Sequence, residues 1–393
     1  MPKKAELTLR LPPPEGGQPD LLIIAGEHSG DQHAALMLTD LKSQLPDLNI
    51  VALGGEKMRQ AGAQLLFDFT AHSVVGFVEV VRSYAFFKEF LESIIKWIHT
   101  YNPRHLCLVD YPGFNLRLAE RLFKKRISQK GGGAIGIHYY IGPQVWAWKA
   151  MRRFKMERWI DTLGVIFPFE IDIYKDTSLP VTFVGHPFVS TGYQLPVVFR
   201  TDALILLLPA SREIAVTRIL PVMIDTFKLL VKKRSNEQAT IVYPDDMMRG
   251  IIERLLAGEK EIAKKIDLQQ SGQPVDGKAV LTSSGTISLA CGLAGLPGAL
   301  VYRAHPLTYW FARCLVHVPY LGISNLLLQK SFHNEYIQSR AKPSLLFKEL
   351  EEAIDSKEGI RSAQIFGQQL RDILTSKRSI SASTWLAEQI RSP

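Results

Sequence analysis

The 393-residue chain has little cysteine and no long apolar run. These two shortages argue against a disulfide-rich protein and against a membrane-spanning one. Its cysteines, Cys107, Cys291 and Cys314, lie in apolar surroundings without C-x-x-C spacing. This pattern predicts reduced core residues rather than a disulfide framework or a zinc site. No run reaches the roughly 18 apolar residues of a membrane-spanning helix, and residues 1–20 lack a signal peptide's apolar segment. We therefore expect a cytoplasmic protein.

The composition is that of an ordinary globular protein, with 46% hydrophobic and 22% charged residues. The length exceeds what one hydrophobic core usually serves, so two domains are expected. The formal net charge of +9 favours anionic partners such as phosphorylated ligands or anionic lipid headgroups. Nucleic acid is the weakest of these partners, because no zinc-finger spacing or RNP motif occurs.

Short apolar runs alternate with longer amphipathic segments along most of the chain, which is typical of parallel strands covered by helices on both faces. The pattern predicts an α/β fold of two tandem Rossmann-like domains. Their ligands would bind at the carboxyl ends of the strands, in a cleft to which both domains contribute. The expected segments are an extension (1–20), an N-terminal domain (21–190), a C-terminal domain (200–345) and a helical tail (346–393) that we consider packed back on the N-terminal domain.

The segment 83–101 reads as a helix whose apolar side chains cover about half of its circumference. One interpretation is a helix packed in the core. The other is a surface that touches a membrane or holds acyl chains. The candidates for such contacts are Phe86, Phe87, Phe90 and Trp97.

Two strand ends in the first half carry polar candidates. The segment 25–31 (AGEHSGD) joins the first strand to a helix, where backbone N–H groups favour anions, and Ser29 either contacts a ligand or caps the helix. It is not G-x-G-x-x-G, which disfavours a dinucleotide site. Asp110 ends another strand and could act as a general base, while Asp110 or Asn115 could instead cap a helix.

Trp146 and Trp148 lie two residues apart, so they cannot share a helix face, and a basic stretch that includes Arg152 follows. One tryptophan could pack while the other meets a sugar or phosphate together with the basic residues. A purely structural role is the alternative.

In the second half, two strand-to-helix turns suit a diphosphate: residues 209–213, with Arg212, and residues 283–286. No D-x-D motif occurs, so we expect no metal and no other cofactor, with helix dipoles and Arg212 stabilising the leaving diphosphate.

Together these segments resemble the lipid-A-disaccharide synthase family from about residue 21 to 340. The matching motifs are AGEHSGD, GGEKM, DYPGFN, GPQVWAW, FPFE, FVGHP, LLPASRE and SSGT, in that order. The resemblance implies a GT-B-fold enzyme of lipopolysaccharide biosynthesis, at the cytoplasmic face of the inner membrane of a Gram-negative bacterium. It would transfer 2,3-diacylglucosamine from its UDP derivative to the 6-hydroxyl of 2,3-diacylglucosamine 1-phosphate, with inversion and without a metal.

The resemblance also implies residue roles. Asp110 would be the base, and Glu27 a second acid–base or sugar-orienting group. Candidates for the acceptor, its sugar or its phosphate are Ser29, Asn115, Trp146 and Arg152. The UDP site would comprise Ser211, Arg212, Ser284, Gly285, Thr286, Asn325, Glu335 and Gln338.

The chain departs from the family pattern at three positions: Ala210 replaces a glycine, Ser324 a proline, and Ala290 an acidic residue that could bind the donor ribose. Two alternatives are another UDP-sugar transferase or epimerase of the same fold, and a non-catalytic relative that binds lipid or nucleotide.

Overall fold

The computed structural model describes residues 11–70, 84–305, 309–310, 318–375 and 380–391, without the side chains of 84–87. The chain forms two compact units, residues 1–187 with 376–393, and residues 188–375. The tail expected over 346–393 is therefore divided between them.

The N-terminal unit is built on a parallel sheet, because its apolar runs are buried on both faces. The strands follow the order β3-β2-β1-β4-β5-β6-β7. They are β1 Leu21–Ala25, β2 Ile50–Gly54, β3 Gln64–Asp68, β4 His105–Val109, β5 Gly136–Tyr140, β6 Thr162–Val165 and β7 Val181–Phe183. The helices that connect them are α1 His28–Gln44, α2 Glu56–Gln60, α3 Tyr84–Tyr101, α4 Pro112–Lys124, α5 Arg152–Trp159 and α6 Glu170–Ile173.

The C-terminal unit repeats this plan with a parallel sheet of order β11-β10-β9-β13-β14-β15 and a small pair β12-β8. Its strands are β8 Val197–Phe199, β9 Ile205–Leu208, β10 Ala239–Tyr243, β11 Ile266–Gln270, β12 Val275–Gly277, β13 Ala279–Ser283, β14 Gly298–Tyr302 and β15 Asn334–Ile337. Its helices are α7 Glu213–Lys233, α8 Asp246–Leu256, α9 Lys260–Ala263, α10 Thr286–Leu293, α11 Ile323–Leu328, α12 Pro343–Asp355 and α13 Lys357–Leu374.

Each sheet has one point where the strand order reverses. In the N-terminal unit the chain leaves β1 toward β2 and β3, then returns to place β4 on the other side of β1. In the C-terminal unit β9 and β13 stand in the same relation. Neighbouring connections diverge there and leave a crevice at the carboxyl ends, where open α/β sheets bind ligands. The tandem Rossmann-like architecture predicted from the sequence is confirmed.

Helix α3 packs with its apolar face in the core of the N-terminal unit. The Phe90 ring contacts those of Phe69 and Phe114 at centroid distances of 5.1 and 5.9 Å. Trp97 is buried as well, and its indole N–H donates to the carbonyl of Pro12 over 2.8 Å. These contacts correct the membrane or acyl role expected of Phe90 and Trp97 in favour of core packing. The Phe86 and Phe87 side chains lie outside the described part.

Cys107 and Cys291 are buried free thiols, as expected, and Cys314 lies outside the described residues. Among the residues that the structure describes, no helix combines the length and apolarity that crossing a membrane requires.

The last helix, α14 Ala382–Arg391, packs against α1 in the N-terminal unit. Its Trp385 is 1% exposed, and its ring lies edge-on to His138, 6.3 Å away between centroids. A Cβ added at Gly164 would meet the same ring at 3.2 Å. The absence of a side chain in β6 therefore makes room for the indole.

We expect Trp385→Ala to lower the free energy of unfolding of the N-terminal unit by about 3–5 kcal/mol, because a large cavity replaces a buried indole. Chemical denaturation monitored by circular dichroism measures this change. Trp148→Ala is the matched control, since Trp148 is exposed and its loss should cost about 1 kcal/mol or less. Equal stability of the two variants would contradict the packing role.

Candidate active site

The carboxyl end of β4 carries two consecutive residues in left-handed backbone conformation. Asp110 and Tyr111 have φ of 46° and 48°. Such conformations cost roughly 1–3 kcal/mol for residues other than glycine, and they cluster at functional sites. Tyr111 precedes Pro112, which starts α4 with a φ suited to the first helical turn. The turn places Asp110 at the point where the strand order reverses.

Two side chains hold this turn through the main-chain carbonyl of Asp110. The Asn115 amide donates to it over 2.7 Å and also to the carbonyl of Val109 over 3.2 Å. The Tyr139 hydroxyl donates to the same Asp110 oxygen over 2.6 Å. Asn115 is fully buried. It therefore fixes the base rather than contacting an acceptor sugar or phosphate, which corrects the expectation for this residue.

Gly26 of the AGEHSGD segment provides space for the Asp110 turn. A Cβ there would lie 2.2 Å from the ring of Tyr111, so only glycine admits the tyrosine at this position. The Tyr111 ring in turn stacks on Phe114, with centroids 6.1 Å apart. The first strand-to-helix connection and the Asp110 turn are thus packed together.

Burial raises the pKa of Asp110 to about 6, with a smaller contribution from the negative charge of Glu27. Glu27 lies on the exposed turn between β1 and α1. The structure thereby brings the two predicted catalytic carboxylates into electrostatic contact. A carboxylate with a raised pKa is a stronger base while it stays ionised at neutral pH, which suits proton abstraction from a hydroxyl.

The AGEHSGD segment also contains a structural carboxylate, that of Asp31, which is buried. The Asp31 side chain accepts hydrogen bonds from the backbone N–H groups of Gly55, Lys57 and Met58 at 2.9–3.2 Å. It therefore caps the N-terminus of α2 and joins the GGEKM motif to α1. Ser29 is exposed in the first turn of α1, where it remains a ligand candidate.

The GPQVWAW segment after β5 separates its two tryptophans. Trp146 is half-buried and packs edge-on against Phe167 and Phe169, with centroids 6.5 and 5.3 Å apart. Trp148 projects outward instead, 45% exposed. Trp146 is thus the packing residue of the pair.

Arg152 begins α5 and is half-buried. Burial and the Asp110 carboxylate raise the pKa of Tyr139 well above its usual value, while the charge of Arg152 lowers it. Arg152 therefore lies close enough to Tyr139 for its positive charge to affect that hydroxyl, and it stays a candidate for an acceptor phosphate.

Glu170 of the FPFE motif is a buried carboxylate that was not among the predicted site residues. It accepts hydrogen bonds from the backbone N–H groups of Ile166 and Phe167 at 3.2 and 3.0 Å. Burial raises its pKa to about 7, against the effect of these donors and of the neighbouring Trp146 indole. Glu170 folds the FPFE turn that supports Trp146. The match of FPFE to the family pattern was the sequence signal that could have indicated a role for Glu170.

In the C-terminal unit the turn after β9 holds Ser211 and Arg212 at the start of α7, both exposed. Ala210, where the family pattern has glycine, has a φ of 114°. Glycine adopts that region without strain and alanine does not, which explains the usual glycine. The turn presents helix N–H groups and a guanidinium at the same place.

The turn after β13, the strand next to β9, carries the second predicted anion site. Gly285 precedes α10 with φ 118°, and nothing lies within 4 Å of where its Cβ would be. Ser284 is half-exposed, and Gly285 and Thr286 are exposed. The parallel pairing of β9 with β13 brings this turn and the Arg212 turn to one edge of the sheet. Within the described ranges, no group of three or more His, Cys, Asp or Glu side chains could hold a metal ion.

Asn325, expected beside the donor, is buried and uses both ends of its amide within the protein. It donates to His333 and Glu335, and accepts from the N–H groups of Phe332 and His333, over 2.7–3.0 Å. We therefore correct the predicted donor contact to a positioning role.

Glu335 and Gln338 also bind backbone. Glu335 accepts from the N–H groups of Leu321 and Gly322 at the start of α11. Gln338 accepts from the N–H of Ala304 over 2.8 Å and donates to its carbonyl over 3.2 Å. Both side chains shape the loops at the carboxyl ends of β14 and β15.

Two departures from the family pattern lie on neighbouring helices. Ala290 is fully buried in α10. Ser324 donates to the carbonyl of Ser288 over 3.3 Å, and a Cβ at Gly292 would meet the Ser324 hydroxyl at 2.4 Å. Ser324 thus packs tightly on α10 at Ser288 and Gly292, which lie two residues before and two residues after Ala290.

Comparison with solved structures shows the fold. UDP-GlcNAc 2-epimerase from Neisseria meningitidis shares the fold at a TM-score of 0.55 and 9% identity, covering 94% of this chain and 98% of that one. A glycosyltransferase from Rickettsia africae does so at a TM-score of 0.53 and 11% identity, covering 95% and 98%. The chain therefore has the GT-B fold.

Comparison of sequences is more specific. The family profile of lipid-A-disaccharide synthetases matches residues 21–390. "Lipid-A-disaccharide synthase 1" of Legionella pneumophila is 35% identical over 330 residues, 81% of this chain and 83% of that protein. The chain belongs to the lipid-A-disaccharide synthetase family and is a glycosyltransferase.

Replacing Ala210 with glycine should raise the free energy of unfolding of the C-terminal unit by about 1 kcal/mol. The gain is the backbone strain relieved, about 1–3 kcal/mol, less the extra entropy of glycine in the unfolded chain, about 0.5–1 kcal/mol. Ala257→Gly is the control, because Ala257 has an ordinary helical φ of −58° and should lose stability. A destabilised Ala210→Gly variant, measured by denaturant titration, would refute the strain.

Proposed function

We propose that this protein joins two acylated glucosamines in lipid A biosynthesis. Its donor is UDP-2,3-diacylglucosamine and its acceptor is 2,3-diacylglucosamine 1-phosphate. The products are the β-1,6-linked disaccharide 1-phosphate and UDP. Family membership supports this substrate pair. The observation that carries the chemistry is the Asp110 turn. There a strained backbone, held by two hydrogen bonds to the Asp110 carbonyl, presents a carboxylate with a raised pKa.

In the proposed reaction the Asp110 carboxylate takes the proton from the acceptor 6-hydroxyl. The oxygen forms a bond to the anomeric carbon of the donor sugar as that carbon's bond to the UDP oxygen breaks, so the configuration inverts. General-base assistance of this kind contributes roughly 10²–10⁴-fold to rate. Glu27 orients the sugar and keeps the pKa of Asp110 high.

The leaving diphosphate needs positive potential, because an additional negative charge develops on its terminal phosphate oxygen as the bond to the sugar breaks. Arg212, with Ser211, would supply a guanidinium and helix N–H groups, and Ser284, Gly285 and Thr286 would supply the N-terminus of α10. Asn325, Glu335 and Gln338 would keep the surrounding loops in place. Ser29 and Arg152 are the acceptor-side candidates that remain, because Trp146 packs against Phe167 and Phe169 instead.

Both proposed substrates carry acyl chains, so the enzyme would work where lipids are. We propose that it acts at the cytoplasmic face of the inner membrane as a peripheral protein, drawn there by its formal net charge of +9. This location needs no spanning helix.

Asp110→Asn should lower kcat by about 10²-fold or more, because an amide cannot accept the hydroxyl proton. The measurement is UDP release from the two lipid substrates in mixed micelles. The acceptor KM should change much less than kcat, since the amide keeps the shape of the carboxylate. Asp202→Asn, an exposed carboxylate elsewhere, is the control. Turnover within about threefold of the wild type would remove Asp110 from the mechanism.

The proposal also predicts how kcat/KM depends on pH. Asp110 must be ionised to act, so kcat/KM should fall as the pH drops through about 6. Glu27→Gln removes a negative charge that raises the pKa of Asp110, so the acidic limb should move to lower pH whatever happens to the maximal rate. Glu120→Gln should leave the limb in place. A limb unmoved in Glu27→Gln would show that the titrating group is not Asp110 coupled to Glu27.

A further inference from the structure

The loop after β5 exposes two large apolar side chains in four residues. Trp148 is 45% exposed and Met151 is 68% exposed, and Lys149 and Ala150 between them are exposed too. An exposed tryptophan and an exposed methionine lose the stabilisation that burial would give them. Surface patches that combine these residues mark contacts with another apolar phase.

Positive charge surrounds this pair. The Lys149 ammonium lies 4.2 Å from the centroid of the Trp148 ring and the Arg152 guanidinium 5.1 Å from it, and Lys155 is exposed one turn further along α5. In the described part of the chain none of these three bases forms an ion pair. The nearby carboxylates Asp172 and Asp176 are paired with Lys175 and Arg153. The patch is therefore cationic as well as apolar.

The loop is held on a firm base. Beneath it Trp146 packs against Phe169, and the Glu170 carboxylate ties down the turn that carries this phenylalanine. Strand β5, which leads into the loop, pairs in register with β4, so the patch follows the sheet edge at which Asp110 lies. A partner bound to the patch would therefore lie at the sheet edge that carries Asp110, where the acceptor is proposed to bind.

We infer that residues 148–155 form the docking surface of this protein for a bilayer that contains anionic phospholipids. Trp148 would lie at the level of the headgroups, Met151 would enter the acyl boundary, and Lys149 and Lys155 would contact lipid phosphates. The inference rests on the proposed function, in which the acceptor is a lipid. It adds that the enzyme collects this lipid with its catalytic carboxylate facing the bilayer.

Sedimentation with vesicles of phosphatidylglycerol and phosphatidylcholine, without any substrate, tests the apolar part. Trp148→Ala/Met151→Ala should lower the partition coefficient about tenfold or more. Met247→Ala is the matched control, since Met247 is 57% exposed in the C-terminal unit. Binding of the double variant equal to that of the wild type overturns the inference.

The charged part is tested with Lys149→Glu/Lys155→Glu. Its binding to the anionic vesicles should fall about tenfold or more at low salt, while Lys260→Glu, which reverses an exposed charge elsewhere, should bind like the wild type. Undiminished vesicle binding together with a raised KM for detergent-dispersed acceptor would overturn the inference and assign these lysines to the acceptor phosphate. Vesicle binding is measured without turnover. The test of the docking surface therefore stays valid even if the proposed reaction is not found.

Discussion

The main-chain carbonyl of Asp110 accepts two hydrogen bonds, and the geometry of the candidate site depends on them. A left-handed pair of residues other than glycine is unfavourable by itself. The Asn115 amide and the Tyr139 hydroxyl make it the stable arrangement, at 2.7 and 2.6 Å. Without them the carboxylate would not be fixed at the strand end. Tyr111 would also lose its place over Gly26, which joins this turn to the first strand.

The C-terminal unit also has strained turns at the carboxyl ends of its strands, formed by different residues. Its two anion-binding turns also contain positive φ values, at Ala210 and Gly285. The loops at the carboxyl ends of β14 and β15 are held separately, by side chains that bind backbone, foremost Asn325 and Gln338. In both units the strand-order reversal provides the crevice, and side-chain amides that bind backbone hold loops at the carboxyl ends of the strands. Rigid edges matter for catalysis, since a preorganised site needs little rearrangement during the reaction.

Much of the fold could be predicted from the sequence because parallel strands buried on both faces must be apolar throughout. The runs that begin at Leu21 and Ile205 are of this kind, and the polar residues after such strands marked Asp110 and Arg212. Asn115 and Asn325 were harder. Their types and spacing fit ligand contacts as well as backbone hydrogen bonds, and only the buried surroundings decide between the two.

Helix α3 shows a second limit. A broad apolar face predicts burial, but it does not distinguish the protein core from a membrane or acyl chains. Long-range contacts decide that Phe90 and Trp97 pack in the core. Glu170 was missed for a related reason, because a buried carboxylate that folds a turn has no periodic pattern. Ala210 is the opposite case. The sequence showed an unusual residue, and its φ of 114° gives the departure a physical meaning.

Transfer of a sugar from UDP-2,3-diacylglucosamine to a second acylated glucosamine is the reaction on which every role assigned to these residues depends. The most direct measurement is UDP formation by the purified wild-type protein, with and without 2,3-diacylglucosamine 1-phosphate, followed by mass spectrometry of the lipid product. We expect UDP to appear only when the acceptor is present, in an amount equal to that of a disaccharide 1-phosphate. UDP release that is independent of the acceptor, or no turnover by folded protein that binds both lipids, would contradict it.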